Sequence, residues 1–289
     1  MNEKSSNLGN NNQASVSGDG KKPEGFPKKE EEKKGKTGAS GPSIAELSNQ
    51  LKKKNEKNSK QKDVVVVEKL NKDFKVGKDT IRILKNINVR IKPEEFTVIL
   101  GPSGCGKSTL LNTILGLERP TTGRVIVDGY ELTDKNVDEL SDFRLNRIGV
   151  VYQRADWIRS LNVLQNVAFP LLLRGVPKKE REEQAIKFLK KFEIDDHAYY
   201  NPTELSGGQQ QKVELARALI TNPRIIVADE PTGNLDTESA AKVMGVFKEL
   251  NEVNKFNIIM VTHNIDYVRY ATRTIYMKDG QVLEKVASF

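Results

Sequence analysis

From residue 64 onward the chain alternates short apolar runs with longer amphipathic stretches, whereas residues 1–62 hold almost no long apolar side chain. Residues 64–70 and 81–91 read as strands, the second with rough alternation of apolar and polar positions. Residues 96–100 are a short apolar run ending at a glycine-rich turn, and residues 108–117 follow with helical character. Residues 125–127 predict a strand stopped by Asp128-Gly129, and residues 148–152 predict another. The pattern then turns helical. Pro177 suits a first helical position, and Ala185, Ile186, Leu189 and Phe192 recur at helical spacing behind it. A second helix starts near Gly208, where Ser206 and Gln209 form a capping box and Val213, Ala216, Leu219 and Ile220 supply an apolar stripe. Residues 224–228 return to a buried strand, 240–250 are helical, 258–261 are a strand, and 273–283 are a hairpin about Asp279-Gly280. Strands alternating with helices predict an α/β fold, a mostly parallel sheet with its ligand chemistry at the carboxyl edge. The helical stretch from about 154 to 222 interrupts it as an inserted subdomain, and hairpins at both ends predict an added antiparallel patch.

Charge sharpens the division at residue 62. The tail of residues 1–62 has 14 lysines against 8 acidic residues, whereas residues 63–289 have 33 basic and 31 acidic side chains. The formal net charge of +8 therefore belongs mostly to the tail, and no specific nucleic-acid partner is expected for the folded part. So polar a tail cannot bury enough surface to offset its ordering entropy and is expected to be disordered, with at best a fleeting helix at 45–55. It lacks the apolar core of a signal peptide. No later segment reaches 18 uninterrupted apolar residues; 163–173 comes nearest, broken by Gln165, Asn166 and Pro170. If a membrane is involved, another chain spans it. Cys105 is the single cysteine, which excludes an internal disulfide and fits a reducing compartment.

The run Gly101-Pro102-Ser103-Gly104-Cys105-Gly106-Lys107-Ser108-Thr109 sits between a predicted strand and a predicted helix. Glycines let the backbone curl so that successive N–H groups face a phosphate, and the helix N-terminus adds its positive end. In this pattern Lys107 reaches the β- and γ-phosphates, Ser108 offers a hydroxyl to Mg²⁺, and Thr109 bonds phosphate further out. Cys105 is open to two readings, a redox-sensitive brake on nucleotide binding or a small residue that fits the loop. At the end of the strand at 224–228, Asp229 is placed to hold the Mg²⁺ shell, and Glu230, pointing differently, to polarise an attacking water. His263 follows the strand at 258–261 and would bring its imidazole to the γ-phosphate and that water. The other histidine, His197, lies in a polar stretch and is expected at the surface.

Leu205-Ser206-Gly207-Gly208-Gln209, running on into Gln210-Gln211-Lys212-Val213-Glu214-Leu215-Ala216-Arg217, resembles the signature of the ATP-binding cassette (ABC) transporter family. The residues agree, since a capped helix start with two glycines and a hydroxyl is a second anion site. The resemblance, over roughly residues 64–286, implies a P-loop NTPase core with an N-terminal antiparallel β-subdomain and an inserted α-helical subdomain. It implies that Ser206, Gly207, Gly208 and Gln209 bind the γ-phosphate held by a second subunit. Phe74, in a polar turn, stands where the aromatic that stacks on adenine is expected. Gln153 resembles the glutamine that senses Mg²⁺ and links nucleotide to the partner, and Asp236 of Gly233-Asn234-Leu235-Asp236 would help position the opposite phosphate loop. ATP and Mg²⁺ are the implied ligands, and a head-to-tail homodimer with an integral membrane permease is the implied assembly. The chain would lie in the cytoplasm, peripheral on the inner face of the membrane.

Asp-Glu-Pro-Thr-Gly-Asn-Leu-Asp at 229–236 is most similar to the subgroup serving lipoprotein release, macrolide-type efflux and peptide export. A cell-division member lies nearby, so an ATPase module that regulates a membrane partner without moving a substrate stays as the alternative. Glu94-Glu95 replaces a glycine–glutamate turn, harmless provided the turn needs no positive φ. Lys212 replaces the commoner arginine. Residues 154–160, which border the groove for a membrane-subunit helix, are less apolar than in relatives. There Trp157 would either anchor such a helix or pack into its own subdomain.

Overall fold

The structure, a computed structural model, describes residues 62–153 and 156–283. Residues 1–61 of the tail, the helix considered at 45–55, and Arg154 and Ala155 of the 154–160 stretch lie outside the described residues.

β1 (Val65–Val76) and β2 (Asp79–Ile91) form an antiparallel hairpin, with Val65 opposite Ile91 and Val76 opposite Asp79. Both strands are longer than the apolar pattern indicated. Their distal halves carry few buried side chains and are held by ladder pairing and ion pairs such as Arg82–Asp73 at 2.7 Å. Phe74 consequently lies within β1, not in a turn. β4 (Thr122–Val127) pairs with the other edge of β1 and with β5 (Tyr130–Glu131), giving an antiparallel sheet of order β2-β1-β4-β5.

The second sheet takes β3 (Phe96–Leu100), β6 (Ile148–Tyr152), β7 (Ile225–Asp229), β8 (Asn257–Thr262), β9 (Arg273–Lys278) and β10 (Gln281–Leu283) in the order β10-β9-β3-β8-β7-β6. Every neighbouring pair is parallel except the β9–β10 hairpin. The C-terminal hairpin therefore extends this sheet and adds nothing to the antiparallel one. Ile275 and Met277 explain why, because both are buried in the core beneath β3 and β8. The central strands are apolar apart from Thr97 in β3 and the polar residues at strand ends, as strands covered on both faces must be. Alternate residues supply two cores: Phe96, Val98, Ile226, Ala228, Ile258 and Met260 face one side, and Ile99, Ile225, Val227, Ile259 and Val261 the other.

α1 (Lys107–Ile114) buries Leu110, Leu111 and Ile114 in the second core, worth about 2 kcal/mol for each such side chain. α3 (Val163–Leu173), α4 (Lys178–Lys191) and α5 (Gly207–Leu219) all lie between β6 and β7, and α6 (Thr237–Glu252) follows β7. α4 starts one residue after Pro177 and buries Ala185 and Leu189 as its spacing indicated. α5 carries the expected capping box: Gln209 N–H meets the Ser206 hydroxyl, and Gln209 Oε1 accepts from Ser206 N–H at 2.9 Å. α2 (Val137–Arg147) was not apparent from apolar periodicity, since only Leu140 and Phe143 are buried on it. Its support comes from the Asn136–Glu139 capping box, with Asp138 in the first turn and Arg144 and Arg147 in the last complementing the dipole.

Two expectations are overturned. Glu94 adopts φ +63°, so the 94–95 turn does need a left-handed residue; Glu94 N–H donates to Asn257 Oδ1 at 2.7 Å and Asn251 Nδ2 donates to Glu94 O at 2.8 Å. His197 is not a surface residue, being half-buried against Tyr200 with Nε2 3.2 Å from Gln209 Nε2. Its short helical turn folds back beneath the start of α5, which polar composition alone does not reveal.

Candidate functional site

The parallel register brings four strand ends to one edge. Leu100 pairs with Thr262, Val261 with Asp229, and Asp229 with Tyr152. The loops after β3, β8, β7 and β6 thus emerge side by side, carrying residues 101–106, His263, Glu230 and Gln153. Open α/β sheets bind ligands at this edge.

The first loop is shaped by contacts that leave no room for larger residues. A Cβ on Gly101 would meet the Met277 carbonyl oxygen at 2.2 Å and Cys105 Sγ at 2.7 Å. Gly106, at φ +102°, caps α1 with no side-chain bond, so the first N–H groups of that helix carry no side-chain cap. Lys107 is buried, and its ammonium donates to the carbonyls of Gly101 and Pro102, both at 2.9 Å. Cys105 is buried in the core beneath the loop and does not line the cleft. Its carbonyl accepts from Gly280 N–H at 3.1 Å, so the β9–β10 turn braces the loop from below.

Asp229 ends β7 half-buried. Burial pushes its carboxyl above the usual range and the adjacent Glu230 adds to this, while the Ser108 hydroxyl and Lys107 pull it back. Glu230 adopts φ +48°, a left-handed conformation that costs a non-glycine residue about 1–3 kcal/mol. The surroundings impose it: Glu230 N–H donates to Val261 O at 2.9 Å and Gly233 N–H donates to Glu230 O at 3.0 Å. The Glu230 side chain is held at both oxygens. Thr262 Oγ1 donates to Oε2 at 3.1 Å, and His263 Nδ1 lies 2.8 Å from Oε1. His263 is otherwise exposed.

Together these residues line an open cleft of about 860 Å³. Ser103, Gly104, Gly106, Lys107, Ser108 and Thr109 form its floor, with Gln153, Asp229, Glu230 and His263 along one side. Phe74, with Ile81 and Ile83, gives it an apolar wall, and the Lys72 ammonium lies 4.6 Å from the Phe74 ring centroid. Gln153 is packed against the segment after β7: Asn234 Nδ2 donates to Gln153 O at 3.0 Å, and a Cβ on Gly233 would meet Gln153 Nε2 at 2.6 Å.

Ser206, Gly207, Gly208 and Gln209 line no part of this cleft. They stand exposed or half-exposed at the start of α5, close to Leu235 and Ser239. Asp236 does not line it either. It caps α6, accepting from Ser239 N–H at 2.9 Å, and the Ser239 hydroxyl, followed by that N–H, holds its carboxyl below the ordinary range.

Residues 84–233 match the family model described as ABC transporter. The chain is 43% identical over 223 residues to the uncharacterized ABC transporter ATP-binding protein MJ0796 of Methanocaldococcus jannaschii, covering 76% of this chain and 95% of that protein. The chain belongs to the ABC transporter family. Its fold superposes on the dimeric structure of the post-hydrolysis state of MJ0796 bound to ADP and Pi with a TM-score of 0.72 at 42% identity, covering 78% of this chain and all of that one. A second relative is the macrolide export ATP-binding/permease protein MacB of Mannheimia succiniciproducens, 40% identical over 222 residues. That match takes in 77% of this chain but 34% of MacB. This chain is therefore an ATP-binding and ATP-hydrolysing cassette of the family, and among its described residues no helix is long and apolar enough to cross a membrane.

Thr262 and Gly280 organise the cassette's site in ways the sequence did not indicate, and Trp157 takes one of its two expected places. Thr262 orients Glu230, yet a threonine ending a strand carries no distinctive signal. Gly280 was seen as part of a hairpin turn, but its role under the phosphate loop depends on β9 lying beside β3. Trp157 packs into its own subdomain, half-buried, with Nε1 donating to Gln210 Oε1 at 3.3 Å and the Arg217 guanidinium 4.8 Å from its ring centroid.

Proposed function

We propose that this chain works as a head-to-tail homodimer that closes two ATP molecules between its copies and drives a separate membrane permease. Phe74 packs against the adenine. The amides of residues 104–109 and the Lys107 ammonium hold the β- and γ-phosphates. Ser108, Gln153 and Asp229 fit a magnesium ion: they are hard oxygen donors, Asp229 is a desolvated carboxylate, and among the described residues no His, Cys, Asp or Glu cluster offers a cage of its own. When bound, that ion supplies charge neutralisation along the phosphates. Glu230, oriented by Thr262 and His263, takes a proton from water as the water oxygen bonds to the γ-phosphorus. The bond to the β-bridging oxygen breaks, and ADP leaves with the electron pair. His263 turns Nε2 to the γ-phosphate, and Asp236 steadies the neighbouring copy's loop.

The observation that carries the dimer is the placement of residues 206–209. They form a glycine-bearing helix start suited to an anion, yet they stand outside the chain's own cleft. A second copy, turned head to tail, is what brings one to the other. The dimeric MJ0796 structure supports this assembly. MacB, a macrolide export ATP-binding/permease protein of which this chain matches about a third, supports a partner that carries the permease part and an exported drug-like substrate, while a lipoprotein or peptide substrate rests on the likeness of residues 229–236 to the subgroup named for them. On this reading the chain sits at the cytoplasmic face of the membrane as a peripheral subunit. The full chain, tagged and recovered from detergent-extracted membranes, should bring down an integral membrane protein and hydrolyse ATP faster in that complex. Recovery without such a partner, with turnover indifferent to membrane fractions, would contradict it.

A further inference from the structure

One face of α5 is occupied by contacts that none of the roles above uses. Gln210, Glu214 and Arg217 are spaced i, i+4 and i+7 and so share a side of the helix. Each reaches the short segment that contains Gln153. Glu214 is fully buried, and its Oε1 accepts from Tyr152 N–H at 2.9 Å. Arg217 donates to Asp156 O at 2.9 Å and stacks on Trp157, and Gln210 accepts from Trp157 Nε1 at 3.3 Å. Gln210 also donates to Leu205 O at 3.0 Å, tying the same cluster to the residue before Ser206.

β6 is the terminal strand of its sheet, so its outward backbone groups have no ladder partner. At Tyr152, one residue before Gln153, a buried carboxylate on α5 takes the place of that missing strand. A buried acid is a costly way to satisfy one amide, since a neutral acceptor such as glutamine would do so without placing an ionisable group in the core. Burial pushes the Glu214 carboxyl up to about 7, against the pull of the Tyr152 amide and Arg217, while Asp156 adds to the rise. Its second oxygen is buried with no hydrogen-bond partner.

We propose that Glu214, assisted by Arg217 and Gln210, is a positioning residue for ATP hydrolysis: it locks the segment bearing Gln153 to the helix that begins with residues 206–209. The two nucleotide-contacting segments then move as one body, so that a γ-phosphate seated beside Gln153 in one copy sets the attitude of the α5 start offered to the other. This rests on the proposed dimeric ATPase. It predicts a defect in the closed, reacting state and not in ATP capture, because Glu214 bonds to Tyr152 and lines no part of the cleft formed by Phe74, Ser103, Gly104 and residues 106–109.

The test uses the full chain and Mg-ATP. Glu214→Gln keeps a carbonyl facing Tyr152 N–H and should retain kcat within about twofold. Glu214→Ala removes the acceptor and should lower kcat at least tenfold with the KM for ATP within twofold, while hydrogen exchange at the Tyr152 amide speeds up. Should Glu214→Ala not fold, Gln210→Ala and Arg217→Ala, at half-buried positions, take its place with the same kcat loss expected. Wild-type kcat in Glu214→Ala, or in both substitutes, overturns the inference, as does a loss carried wholly in KM. An unsubstituted chain that never hydrolyses Mg-ATP strikes at the dimeric ATPase itself and is recognised before any variant is compared.

Discussion

Replacing Glu214 by glutamine should remove a fall in stability that the wild type undergoes as pH rises. In the folded chain burial lifts this carboxyl from its ordinary 4.5 to about 7. At about 1.4 kcal/mol for each tenfold change in proton affinity, that lift corresponds to about 3 kcal/mol. The sign follows from linkage. Between those two values the unfolded carboxyl is ionised while the folded one keeps its proton, so the contribution to stability is complete below pH ~4.5 and lost as pH rises through about 7. Glutamine cannot ionise, so its curve should lack this fall. Urea unfolding of both proteins at pH 5, 6, 7 and 8 measures the difference directly. The variant should gain on the wild type by up to about 3 kcal/mol across the series, equivalent to several degrees in Tm for a domain of this size. Most of the gain should appear between pH 5 and 7. The neighbours that share the site, Arg217, Asp156 and Tyr152, are present in both proteins and cancel in the comparison. Parallel curves would refute the reasoning, because they would mean that Glu214 folds already ionised.

Three further outcomes follow from the geometry. Lys107→Ala and Ser206→Arg should each abolish turnover alone, yet mixing the two proteins should restore a fraction of it, since one site of a mixed head-to-tail dimer keeps both intact halves; no recovery on mixing counts against that arrangement. Glu94→Gly should raise stability by about 0.5–1 kcal/mol in thermal unfolding, the relief of a left-handed non-glycine residue less the extra entropy of glycine, and a loss would show that the Glu94 side chain matters more than its φ of +63°. Gly101→Ala should weaken ATP binding at least tenfold in a fluorescent-nucleotide titration, because its Cβ would stand 2.2 Å from the Met277 carbonyl oxygen; unchanged affinity would place the phosphates elsewhere.

The strand ends were legible because each announces itself locally. Ile225 to Ala228 are apolar and end at two carboxylates, and the glycine run at 101–106 follows a buried strand. The capping box at Ser206 and Gln209 was likewise readable, since both partners lie within one helical turn. What stayed hidden depends on residues far apart in the chain. Glu214 bonds to Tyr152 across 62 positions, and Glu94 is held by Asn251 and Asn257, more than 150 positions away. α2 escaped for another reason: its evidence was a capping box and terminal charges, not an apolar stripe. Phe74 was expected in a turn because β1 runs out past its buried half, where the alternation that marks a strand fades. Asp236 illustrates a shared residue. Its position suggested a role toward a second copy, and within its own chain it caps α6.

The most direct measurement is the mass of Glu230→Gln with and without ATP. Glutamine keeps a group for Thr262 and His263 to touch but cannot accept the water's proton. Light scattering should show a monomer without nucleotide and a dimer with Mg-ATP, each dimer retaining two uncleaved ATP molecules while phosphate release falls at least a hundredfold. A variant that stays monomeric in saturating Mg-ATP, or that hydrolyses ATP at the wild-type rate, would contradict the central claim that two copies close over ATP and that Glu230 drives its cleavage.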